Sequence, residues 1–166
     1  MFLTASKAAS HIRGVIKDYN FWGQSESDSP LKISTTKAVV DNEKILSLDR
    51  SLRTKNAGVA PTKEFLETRT VVQKNLDEVF KPLALNAIEA LNDQGELLDA
   101  GTASLETLAA EAESVEYYVQ LYAAFKQVTN PKIYYVDAPA DPSVGMFIVG
   151  TVGTDTIYAS ALLTQT

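Results

Sequence analysis

Gly145-Met146-Phe147-Ile148-Val149-Gly150-Thr151-Val152 and Thr156-Ile157-Tyr158-Ala159-Ser160-Ala161-Leu162-Leu163, with Gly153-Thr154-Asp155 between them, carry the strongest structural signal in the chain. Both runs are rich in β-branched and aromatic residues, and the link has the Gly and Asp of a tight turn, so the pair reads as a β-hairpin. Just upstream, Lys132 to Val136 reads as another short strand, with Asp137 to Ser143 as its connection. Consecutive strands joined so briefly must pair antiparallel, and the C-terminal third is therefore predicted to be a β-meander.

The residues before the meander read as helix. Asn130-Pro131 is predicted to stop a helix that begins near Ser104, a residue able to cap it, with Leu105, Leu108, Ala112, Val115, Val119 and Tyr122 as its apolar stripe. Tyr117, Tyr118, Tyr122 and Phe125 at its far end read as packing residues. A second helix is predicted over Pro61 to Asn92, with Val71, Val72, Leu76, Val79 and Phe80 on one stripe, a break or kink near Pro82, and Asn92-Asp93-Gln94-Gly95 as its stop. Glu43 to Arg53 leans helical and ends at Lys55-Asn56-Ala57-Gly58. Asp41-Asn42 reads as a turn, and Leu31 to Val40 suits a strand. From Thr4 to Tyr19, Ala5, Ala8, Ala9, Ile12, Val15 and Ile16 recur at steps of three and four, giving an amphipathic helix with Thr4 as candidate N-cap. Phe21 and Trp22 follow it and read as a staple between helix and sheet. Helices set against a meander imply an α+β fold in which helices cover at least one sheet face.

Length and composition set limits on function. A chain of 166 residues can bury one core unaided, and 45% hydrophobic with 22% charged residues is an ordinary folded composition. The absence of cysteine excludes disulfides and thiolate chemistry and agrees with a reducing compartment. The first residues do not read as a secretory signal, and no apolar run approaches a membrane span, so a soluble cytoplasmic protein is expected. A net charge of -6, with the basic residues scattered, disfavours binding to a phosphate backbone.

Catalytic patterns are missing from the sequence. His11 is the lone histidine and has neither a nucleophile nor an orienting acid at any recognisable spacing, so it reads as a surface residue. Gly145, Gly150 and Gly153 surround a hairpin and do not form a dinucleotide fingerprint. Ser25-Glu26-Ser27-Asp28-Ser29-Pro30 lacks the spacing of a calcium loop and reads as a solvated turn. No cofactor and no enzymatic activity are expected.

Two segments together give a direction. Ser25-Glu26-Ser27-Asp28-Ser29-Pro30, after the first helix and before the first strand, is similar to the Ser-Glu-Ser-acid-x-Pro loop of the nuclease A inhibitors. Asn130-Pro131-Lys132-Ile133-Tyr134, Met146-Phe147-Ile148-Val149-Gly150 and the closing Thr156 to Thr166 are similar to that family's last strands. The chain thus resembles inhibitors of sugar-non-specific, magnesium-dependent endonucleases over roughly its first and last forty residues. The resemblance implies an α/β/α sandwich around an antiparallel sheet. It also implies a pseudo-substrate mechanism, in which Glu26 takes a phosphate position in the nuclease cleft and Thr166 coordinates the magnesium ion held by the nuclease. Asp28 joins them at the partner-binding surface. The sequence departs from the family over about 61–116, which is longer and lacks the family's tryptophan and paired glutamates, and reads as a helical insertion in a single domain spanning 1–166. Asp49 and Arg53 resemble a family acid–arginine pattern only loosely, and read as surface or ion-pair residues. The expectation is therefore a monomer when free, whose partner is an endonuclease rather than nucleic acid or membrane. The alternative is an adaptor domain that binds another protein through the insertion.

Overall fold

The computed structural model describes residues 2, 4–17, 25–27 and 29–165. In chain order the elements are α1 (Ala5–Ile16), β1 (Lys32–Thr36), α2 (Asn42–Ala57), α3 (Lys63–Glu67), β2 (Thr70–Lys74), α4 (Leu76–Asp99), α5 (Leu105–Lys126), β3 (Thr129–Ala138), β4 (Asp141–Val152) and β5 (Asp155–Thr164). The strands form one antiparallel sheet in the order β1-β5-β4-β3-β2. The meander is therefore its centre, and β1 and β2 close its two sides.

Alternation along the central strands divides the core in two. Ile133, Met146, Ile148, Ile157, Ala159 and Leu163 face α1, α4 and α5. Tyr134, Val136, Phe147 and Val149 face the other way, against Ile45 of α2. The result is an α+β fold of three layers, α/β/α, with helices on both faces of the sheet, where the residue pattern alone had required cover on at least one. β4 is buried along nearly its whole length because it lies between both helical layers and between two strands.

Local signals account for most element boundaries. Thr4 caps α1 by accepting a hydrogen bond from the Lys7 N–H at 3.2 Å, and Ser104 caps α5 in the same way from Thr107. Gly58 ends α2 in the left-handed conformation, φ 74°. Gly153, at φ 62°, supplies the turn between β4 and β5. Among the described residues no helix is long and apolar enough to cross a membrane.

Several expectations need correction. Asp41-Asn42 is no separate turn: the Asp41 carboxylate accepts from the Lys44 N–H at 2.8 Å and caps α2. The strand predicted over Leu31 to Val40 is only Lys32–Thr36. The helix predicted from Pro61 to Asn92 is broken by β2, whose Val71 and Val72 pair with Val136 and Tyr135 of β3. Those valines fit a helical stripe, but the open edge of β3 offers a full ladder of hydrogen bonds, and β-branched side chains suit it. α4 then runs through both Pro82 and Gly95 to Asp99. The left-handed stop is Gly101, φ 79°, where the N–H groups of Gly101 and Thr102 bond to the carbonyls of Leu98 and Leu97.

On α5 the buried face is Tyr117, Tyr118, Leu121, Ala124 and Phe125. Leu105 and Val119 of the predicted stripe are 71% and 51% exposed. The sheet and α1 meet only the C-terminal part of this helix, so its face is set there. Tyr122 donates to Asp77 at 2.6 Å, which joins α5 to the first turn of α4. That bond, then burial, then the Asp77 charge raise its phenol above the ordinary tyrosine range. Asn130-Pro131 does not stop the helix, which ends at Lys126. Asn130 has φ 48° and lies at a register shift near the start of β3. The connection predicted over Asp137 to Ser143 shrinks to residues 139–140. Tyr19, Phe21 and Trp22 lie outside the described residues.

Candidate functional site

The serine-rich turn between α1 and β1 is bound to the end of β5. The Glu26 N–H donates to the Thr164 carbonyl at 2.8 Å, and the Thr164 N–H donates to Ser25 Oγ at 2.9 Å. Ser27 Oγ and Thr164 Oγ1 are 2.7 Å apart, Ser25 Oγ and Ser29 Oγ are 2.7 Å apart, and Ser29 Oγ donates to the Leu162 carbonyl at 3.0 Å. Short hydroxyl side chains suit this job, because they reach backbone groups without the length or charge of an amide or acid. Serine at every second position thus stitches the turn to the strand, while Glu26, between two of them, is exposed.

The strand end is itself held in place. Beyond Thr164, the Gln165 N–H donates to the Pro142 carbonyl at 2.7 Å, which ties it to the start of β4. The fold therefore brings Glu26 to within one backbone hydrogen bond of Thr164, two positions before Thr166. Asp28 and Thr166 lie outside the described residues. His11 is exposed on α1 with its ring 5.4 Å from that of Phe2, as an ordinary surface histidine would be.

A second polar cluster reaches Asp141 and Ser143, on either side of Pro142, and was legible in the sequence only in part. Asp49 is fully buried and Arg53 is 5% exposed, so neither is a surface residue. Asp49 Oδ2 accepts from Arg53 Nε at 2.9 Å and from Arg69 Nη1 at 2.8 Å. Arg53 Nη2 donates to the carbonyls of Val136 at 3.1 Å and Ser143 at 2.9 Å, and its Nη1 meets Asp141 Oδ2 at 3.3 Å. Arg69 also donates to the carbonyls of Leu66 and Leu46. The Phe65 ring lies 5.2 Å from the Arg53 guanidinium.

This network is an ion-paired clamp that fastens α2 and the α3–β2 segment to the β3–β4 turn. Two guanidiniums are balanced by two carboxylates, and arginine's planar fork explains why one side chain can serve two carbonyls and two acids. The i, i+4 spacing of Asp49 and Arg53 on a helix was the available sequence signal. Arg69, twenty residues on, offered none. Among the described residues no group of three or more His, Cys, Asp or Glu side chains is placed to hold a metal ion.

Comparison of the chain with protein-family models and with curated proteins finds no match.

Proposed function

We propose that the protein inhibits a sugar-non-specific, magnesium-dependent endonuclease in the cytoplasm, without catalysis of its own, by presenting Glu26, Asp28 and Thr166 to the nuclease cleft. The observation that supports this most is the fastening of the Glu26 turn to the last strand. An exposed carboxylate and the end of β5 share one rim, so a single surface could meet both a phosphate position and a metal ion. A carboxylate reproduces the charge of a phosphate oxygen, and a threonine oxygen is a hard donor of the kind magnesium accepts. The overall charge of -6 would draw the protein towards a nuclease surface built to attract nucleic acid.

The test is to add the purified protein to such a nuclease and follow DNA digestion at several salt concentrations. Inhibition should weaken as salt rises. Glu26→Gln and deletion of Thr166 should each raise the inhibition constant by about 5- to 30-fold, or ~1–2 kcal/mol. Wild-type protein that leaves digestion unaffected, or two variants that inhibit as well as wild type, would refute the assignment.

A second reading, an adaptor that binds through the α4–α5 pair, is favoured by the exposure of Leu85, Ile88, Leu97 and Leu105 there. Partner binding that survives Glu26→Gln but is lost when Leu97 and Leu105 become aspartate would select it instead.

A further inference from the structure

On the α2 face of the sheet, the helix covers the middle strands and leaves a groove along β5 and β1. Its volume is about 510 Å³, within the range of small-molecule clefts. Leu48 and Leu52 of α2 form one wall, and Phe147, Tyr158 and Leu162 form the floor. The strand register puts polar groups beside that floor in rows. Lys32 of β1 is opposite Ser160 of β5, which is opposite Phe147 of β4. In the next row Ser34 is opposite Tyr158. Lys55, on α2, stands across the groove.

We propose that this groove binds a small organic anion with a flat apolar body, an aryl phosphate or aryl carboxylate, with its charge between Lys32 and Lys55 and its ring over the half-buried Tyr158 and Leu162. Three observations carry the assignment. Among the described residues the lining includes two lysines and no carboxylate, in a chain that is acidic as a whole. The ammonium groups of Lys32 and Lys55 and the hydroxyls of Ser34 and Ser160 make no hydrogen bond or ion pair with the rest of the described protein, so their donors are available. The floor is aromatic and aliphatic side chain, which gains by covering a ring but offers a sugar or a peptide backbone few partners. A bare inorganic anion would use the donors and leave the floor in water. The proposal does not depend on the inhibitor reading, because it assigns no role to Glu26, Asp28 or Thr166.

The experiment is a titration of ¹⁵N-labelled protein with phenyl phosphate and with benzoate, set against inorganic phosphate and phenol separately. Saturable shifts are expected at the amides of Ser34, Ser160 and Lys55. Phenyl phosphate and benzoate should each bind at least about tenfold more tightly than inorganic phosphate or phenol, since each control has only one of the two recognition elements. Lys32→Glu with Lys55→Glu should abolish the shifts. Both side chains are exposed, so thermal unfolding of the double variant should match wild type and show that the fold is intact. The proposal is overturned if neither organic anion gives saturable shifts at these amides up to ~10 mM. It is also overturned if inorganic phosphate binds equally well, or if the double variant binds like wild type.

Discussion

Asp49→Ala is expected to destabilise the protein by about 3–5 kcal/mol, because it removes the buried carboxylate with which both buried guanidiniums pair. Arg69 would suffer more than Arg53. It loses its ion pair with Asp49 at 2.8 Å and keeps only neutral carbonyls, whereas Arg53 keeps Asp141 and the carbonyls of Val136 and Ser143. A domain of this size is stable by only about 5–15 kcal/mol, so the change should be obvious as a lowered midpoint in urea unfolding. Adding Arg69→Met to Asp49→Ala should recover part of the loss, since an apolar side chain of similar length needs no counter-ion. If Asp49→Ala moved stability by less than ~1 kcal/mol, the cluster would have to be hydrated and not the desolvated clamp described above.

Gly145→Ala is expected to destabilise by about 1–3 kcal/mol, towards the upper end, through collision and not through backbone conformation. A Cβ at this position would land on Asp49 Oδ1 and would come within 3.2 Å of the Phe147 ring. Neither side can yield easily. The β4 backbone is paired at this point with Val136 on one side and Leu162 on the other, and Asp49 is pinned by its two arginines. The two substitutions should therefore be coupled. With Asp49 already truncated to alanine, the added methyl has room, and Gly145→Ala should lose much of its effect. A double-mutant cycle measures this directly, with a coupling of about 0.5–3 kcal/mol expected. Strict additivity would mean that Gly145 is needed for some reason other than the close approach of Asp49.

The site residues divide along similar lines. The acidic turn stood out from its composition, and its place after one helix and before one strand was legible. What its serines do was not, since a hydroxyl in a loop looks the same whether it meets water or Thr164. The groove beside β1 was equally hidden. Lys32 and Ser160 are 128 positions apart in sequence, and only antiparallel pairing makes them neighbours.

Where a structural choice rested on a residue and its near neighbours, the amino-acid sequence was enough in most places, the Asp41 cap and the Gly101 stop being the exceptions. The Thr4 and Ser104 caps, the left-handed Gly58 and the β4–β5 hairpin are all of this kind, because hydrogen bonds within a turn and the backbone preferences of β-branched residues act over a few positions. Wherever the choice rested on a distant partner, it was not. Thr70–Lys74 is a strand because β3 has an unpaired edge, and α5 turns Leu121 inward because the sheet lies under only part of it. Asp49 can be buried because Arg69 arrives from another segment and Gly145 leaves space for it. Ladder pairing and burial depend on the surface that the rest of the chain supplies, and no local pattern encodes which surface that will be.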